Sequence, residues 1–447
     1  MAGTVAERPA RPAGSRTSVV RGESRLHSLP AGDEKSEIQM RLIVSTLAPA
    51  AALAAACAAT PALAEEVKIA PTLDARLRYE AVDQDGLPRE ADALTLRARP
   101  GLTVGTGDWS LLVEGEGMLA IVEDYNSGLN GNAARPIVGD PENIELNRLQ
   151  IQYRGLPGTV ITLGRQRINL EDQRFVGAVG WRQNEQTFDA VRLEWNGIEG
   201  LKADVTYSWS VRTIWGRDGE GPRQQAISGD NVFATVGYGT PIGTLSGFAY
   251  LVDQDEAAVS GFQLSSQTYG VRLAETQPLS KTARLNYAAS YARQSDWHRN
   301  PNDYSADYWL AEAGLDLGMV RLGVGYEVLG ADDGRPLTSF QTPLATLHKF
   351  QGWADKFLTT PPDGIRDLHA SAGLGWKTVG PLEAVSLQAV WHRFESDRRD
   401  LHYGNEIGLS ASAKVDRFTF TIKYADYDAD RFATDTSKVW LQLECSY

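Results

Sequence analysis

The chain has 447 residues, 42% of them hydrophobic, with 43 glycines, 11 Trp and 16 Tyr, and a formal net charge of -13. A mean hydropathy of -0.30 is too polar for a bundle of membrane helices, and the acidity argues against a nucleic-acid partner, which needs a basic surface. Abundant aromatics in a polar average are instead what a transmembrane barrel shows, because its apolar residues alternate with polar ones.

From Met40 the sequence runs MRLIVSTLAPAAALAAACAATPALAEE, with one arginine, an apolar stretch and then Ala62-Leu63-Ala64 before Glu65. That is the layout of a secretory signal peptide, a basic start followed by an apolar middle and a small-x-small cleavage site. Ser45, Thr46 and Pro49 interrupt the apolar run and weaken a retained membrane helix. Cys57 raises a lipoprotein reading, but Ala54 stands where Leu is preferred. Residues 1–39 read as an extension or a mis-set start, so residues 1–64 form a leader and 65–447 a single domain. Cys445 is then the one remaining cysteine, which excludes an intrachain disulfide.

Past the leader the period is two. In LNRLQIQYR, Leu149, Ile151 and Tyr153 oppose Arg148, Gln150, Gln152 and Arg154; in FDAVRLEW, Val191, Leu193 and Trp195 oppose Arg192 and Glu194. LKADVTYSWS puts Leu201, Ala203, Val205, Tyr207 and Trp209 on one face, and VRLGVGYEV and RFTFTIKY repeat the pattern. Each reads as a strand with one apolar and one polar side. VWLQLECSY closes the series with a terminal aromatic and resembles the C-terminal signature of outer-membrane barrels, which the assembly machinery reads.

Tight connections near 105–108, 155–158, 196–200, 239–244, 277–282, 317–319, 379–382 and 414–416 alternate with nine longer stretches rich in Asp, Asn, Gly and Pro. The expected fold is all-β: a transmembrane antiparallel barrel of about 18 strands, with short periplasmic turns, long extracellular loops and both termini periplasmic. Such a chain belongs in the bacterial outer membrane, against lipid and lipopolysaccharide.

If the apolar faces meet lipid, the polar faces line a lumen, and Arg76, Arg78, Arg97, Arg99, Arg148, Arg154, Arg192 and Lys202 point inward. A row of arginines beside water lowers the barrier to an anion. The competing reading is that they pair with carboxylates such as Glu80, Glu114, Glu116 and Glu194 and satisfy one another. The stretch LGRQRINLEDQRFVGAVGWRQNEQTFDAVRLEW (163–195), with LHKFQGWADKFLTTPPDGIRDL (347–368), resembles the alginate-export family of outer-membrane barrels. That resemblance implies an 18-stranded monomeric barrel with a constricted, arginine-rich pore passing a uronic-acid polymer outward; passage would be driven by the solute gradient or by a periplasmic export complex. It nominates Arg165, Arg167, Arg174, Arg182, Arg192 and Arg366 as substrate-path residues. Alternatives are an uptake porin for acidic oligosaccharides or small anions, and a plugged barrel acting as adhesin or receptor.

The 331–364 loop, with Phe340, Lys349, Phe350, Trp353, Lys356 and Phe357, is too long and aromatic for a connector and is expected to fold into or over the pore mouth as a constriction or lid. Catalysis has little support: there is no H-x-x-x-H, no Cys/His cluster and no G-x-S-x-G, so neither an enzyme nor a cofactor is expected. Asp426, Asp428 and Asp430 in a loop offer a weak calcium site, without the glycine and distal glutamate of an EF-hand.

Overall fold

The computed structural model describes residues 66–258 and 260–447. The signal peptide, Cys57 and the extension before Met40 lie outside the described residues. Eighteen antiparallel strands run in chain order: β1 Lys68–Gln84, β2 Ala91–Thr106, β3 Trp109–Asp124, β4 Asn143–Tyr153, β5 Thr159–Gln166, β6 Thr187–Ile198, β7 Leu201–Arg212, β8 Ala226–Thr240 and β9 Gly243–Val252. The second half comprises β10 Ser266–Pro278, β11 Ala283–Asp296, β12 Ser305–Leu317, β13 Val320–Leu329, β14 Ile365–Val379, β15 Leu382–Glu395, β16 His402–Val415, β17 Phe418–Ala429 and β18 Thr436–Ser446.

Each strand pairs with its neighbours in sequence, and β1 also pairs with β18, from Asp74 opposite Ser446 to Gln84 opposite Thr436. The sheet therefore closes into a barrel with no edge strand, the one way a sheet can keep its backbone satisfied in lipid. Beyond the strands, Leu73 and Tyr447 exchange two backbone hydrogen bonds of 3.0 and 2.8 Å across the seam. No helix among the described residues is long and apolar enough to cross a membrane.

The eight short turns gather at one rim and the nine longer loops at the other, as the spacing of turn residues predicts. Large apolar side chains are exposed all round the outer wall, Leu96, Ile151, Leu163, Val205, Val324 and Ile422 among them. Trp109 stacks near Tyr153 at the short-turn rim (4.5 Å between centroids), and Tyr291 near Trp309 toward the loop rim (4.3 Å). Aromatic girdles occupy these two heights in a membrane-spanning barrel.

Register breaks tune the wall locally. At the bulge between Glu114 and Gly115, opposite Arg148 and Leu146, the extra residue turns both Asn147 and Arg148 onto the Glu114 carboxylate, at 2.8 and 2.7 Å. Inside, the lumen is not bare. Loops 167–186 and 330–364 fold back into it and supply much of its buried apolar cluster.

Candidate functional site

The two inward loops hold each other first. Gly177 N donates to Leu344 O (2.9 Å) and Thr346 N to Gln173 O (3.1 Å), beside a short parallel bridge between Val176 and Leu344. Phe175 seats its ring among Phe248, Tyr250, Tyr308 and Phe340, with centroids 5.2 to 5.9 Å away. Such packing fixes one end of loop 167–186 against β9 and β12. Arg174, fully buried, completes that end by donating to Glu327 (2.6 Å) and Gln351 (2.9 Å) under the Phe350 ring.

The other end lies against β1, β2 and β18, where the basic side chains collect. Arg76 pairs with Glu444 (2.6 Å) and donates to the carbonyls of Gly180, Trp181 and Arg182. Arg78 donates to Gln442 (2.9 Å) and lies 4.2 Å from the Trp181 ring, with Asp140 at 3.8 Å. Arg97 meets Asp74, and Arg99 meets Glu116 (2.5 Å) and Glu185 (3.3 Å). Glu185 also accepts from Arg167 (2.7 Å) and Asn147 (2.6 Å). Burial alone would push its carboxyl up, but Arg99 and Arg167 with the hydrogen bonds from Arg167 and Asn147 more than reverse that and hold it at about 2.

Loop 330–364 is anchored through Asp355. Its carboxylate accepts from Arg182 (2.8 Å), Lys438 (2.9 Å) and His348 Nδ1 (2.7 Å). Burial opposes ionisation there, and the Lys438 and Arg182 cations with the hydrogen bond from His348 overcome it, holding Asp355 well below the usual carboxylate range. On its other nitrogen His348 faces Lys423 Nζ at 2.8 Å. Lys423 sits among the rings of Trp353, Trp181 and Trp440, at 3.9, 4.2 and 5.5 Å. An ammonium so enclosed is stabilised by ring faces.

Burial, then the neighbouring Lys423 cation and more weakly Arg182, hold the His348 imidazole well below its ordinary range against the pull of Asp355. In the undocked loop the imidazole takes up its proton near pH 6.5. Docking is therefore at full strength above that pH and weakens as pH falls below it, because the undocked state then binds the extra proton. Amide exchange across 342–358, corrected for intrinsic rates, is expected to be faster at pH 5 than at pH 7.5, with His348→Gln flattening the dependence. Equal protection of the wild type at both pH values would remove His348 from control of the loop.

Eleven of the twelve arginines nominated from sequence lie within 4 Å of a carboxylate. The twelfth, Arg154, is exposed past the end of β4 and donates to Gln152 and Ser110. Arg165 and Arg366 do not face the lumen. Arg165 shares the outer face of β5 with Leu163 and pairs bidentately with Asp189, at 2.8 and 3.0 Å. Arg366 shares the outer face of β14 with Leu368 and pairs with Asp397 and Asp400. Arg192 does point inward, onto Asp204 (2.5 Å) and Glu194 (3.2 Å).

Among the loop residues singled out, Lys349 is exposed and donates to Asp172 O (2.8 Å), and Trp353 packs on Lys423. Lys356 makes no ion pair among the described residues, and burial followed by Lys438 pushes it down to about 8. Asp426 and Asp428 are not in a loop: both are exposed residues of β17, on the outer face with Phe420 and Ile422, and only Asp430 follows the strand. The three carboxylates do not converge. The donor group that does is Asp367 with His369 on β14 and His392 on β15, which only the pairing of the two strands brings together.

The lumen stays open along β6 to β14 toward the short turns. There the inward positions carry small residues, Gly237, Ser246, Ala274, Ala288, Gly323 and Ser371, and two cavities of ≈ 650 and ≈ 550 Å³ meet at Ala274. Arg192, Lys202, Glu171 and Asp204 line the larger one. Lys202 there and Arg321, on the inner face of β13, are exposed cations with no ion pair among the described residues. Arg272, lining the smaller, pairs with Asp172 of the inward loop at 3.0 Å.

No family model matches the sequence and no curated protein matches it, so the alginate-export resemblance finds no support. Solved structures do share the fold. OccK9 (OpdG) of Pseudomonas aeruginosa is 15% identical, with a TM-score of 0.65 over 85% of this chain and 99% of that one. OccAB1 of Acinetobacter baumannii is 13% identical, with a TM-score of 0.64 over 86% and 100%. The outer membrane protein opdK from Pseudomonas aeruginosa is 12% identical, with a TM-score of 0.63 over 85% and 98%.

Proposed function

We propose that the barrel is an outer-membrane channel through which small anions, short acidic saccharides among them, enter down their gradient. The observation that carries this reading is the division of the lumen. Toward the long loops it is filled by two interlocked loops and their ion pairs; toward the short turns, along β6 to β14, it is kept open by small inward side chains and retains a cation without an ion pair among the described residues, Lys202. Cavities of that size suit a small solute better than a polymer held along many sugar units. Lys202, with the partly neutralised Arg192 and Arg272, is the group proposed to draw an anion past Glu171, Glu194 and Asp204, which share the larger cavity.

The apolar outer belt is proposed to meet lipid tails and lipopolysaccharide, with the short turns in the periplasm, in keeping with the outer membrane protein opdK that shares the fold. Passage requires no bond chemistry and no cofactor, and a monomer suffices. Planar-bilayer recording across a salt gradient tests the reading. The wild type should conduct and favour anions, and Lys202→Glu should move the permeability ratio several-fold toward cations, as expected for reversing one charge in a narrow aqueous path. An unchanged reversal potential would remove Lys202 from the path. Absence of conductance, with ligand binding that depends on the loops, would overturn the channel in favour of a plugged receptor.

A further inference from the structure

We propose a divalent transition-metal site in the lumen wall, formed by Asp367, His369 and His392. Strand register assembles it: His369 on β14 lies directly opposite His392 on β15, and Asp367, two residues before His369, shares its inward face. His392 Nδ1 is 3.0 Å from both Asp367 oxygens, and His369 Nδ1 is 3.8 Å from Asp367 Oδ2. The donor atoms all lie within 4.8 Å of one another. Tetrahedral ligands about 2.1 Å from zinc sit about 3.4 Å apart, so the two spacings to Asp367 bracket what coordination needs.

Three further observations separate this group from an ordinary buried Asp–His pair. His369 Nδ1 is shielded from solvent yet has no hydrogen-bond partner. Its other nitrogen lies 3.5 Å from Glu312, the carboxylate that orients a metal-binding imidazole and raises its basicity. The group also lies next to water, since His369, Glu312 and Ser371 line the ≈ 550 Å³ cavity while Asp367 and His392 sit behind them. Two imidazoles and one carboxylate suit zinc, cobalt or nickel rather than calcium or magnesium.

Equilibrium dialysis of the purified, folded barrel against Zn²⁺, with Co²⁺ absorption as a spectroscopic report of nitrogen coordination, tests this whether or not the barrel conducts. The expected result is one ion per chain. His369→Ala and His392→Ala should each weaken binding at least tenfold and Glu312→Gln about tenfold. His298→Ala, in the connection between β11 and β12, should leave binding unchanged. Variants that retain the heat-sensitive gel mobility of the folded barrel and still bind like the wild type would overturn the site. So would a wild type that takes up no stoichiometric Zn²⁺ or Co²⁺, a result that needs no variant to fold.

Discussion

Replacing Asp355 with alanine should release loop 330–364 from the barrel wall. The carboxylate is the shared acceptor for Arg182, Lys438 and His348, and its removal leaves two cations in a buried pocket, with Glu80 at 3.8 Å from Arg182 the nearest replacement. Stripping one partner from a buried ionic cluster costs about 3–5 kcal/mol, comparable to the whole docking energy of a surface segment. Amides of 342–358 should lose most of their exchange protection, and single-channel conductance should rise with frequent large openings. Asp355→Asn, which keeps the volume but not the charge, should fall between the two. Protection and conductance both at wild-type levels in Asp355→Ala would mean that apolar packing around Phe340 and Phe357 holds the loop by itself.

Glu185→Gln should loosen the opposite loop by a separate route. A carboxyl held at about 2 instead of 4.5 reports about 3 kcal/mol of preference for the charged, docked form. That stabilisation is complete above pH 4.5 and is lost as pH falls toward 2, because the undocked carboxyl takes up a proton first. Exchange across 167–186 should therefore increase in Glu185→Gln at pH 7 and in the wild type near pH 3, with the variant insensitive to that acid step. Arg99 keeps Glu116 at 2.5 Å, so the wall itself should remain folded. A variant as protected as the wild type at pH 7 would show that the Arg99–Glu185–Arg167 bridge adds nothing to docking.

The wall was legible because lipid imposes a period of two on every spanning segment, and because turns and loops differ so much in length. Parity also carried more than was drawn from it. Arg165 falls in step with Ile161 and Leu163, and Arg366 with Leu368, so their outward direction is readable once the strand is assigned. The nomination of both as path residues came from family likeness instead, and that likeness has no support. What could not be read was the fate of the loops. Past Gln166 the alternation stops, and no local signal says that Trp181 will meet Trp440 or that Arg174 will reach Glu327. Asp367 and His369 are visible as a two-residue step, whereas His392 joins them only through the register of β14 and β15.

The loop that crosses the lumen touches β1 and β18 through Arg76 and Trp181 and β9 through Phe175. In a ring of eighteen, β18 and β9 lie nine places apart, on opposite sides. Such a segment works as a diametral strut: it ties facing walls together with an ionic joint at one end and an aromatic joint at the other. A barrel braced this way resists flattening along that diameter under lateral pressure from the bilayer and yields along the perpendicular one, so its stiffness has a direction.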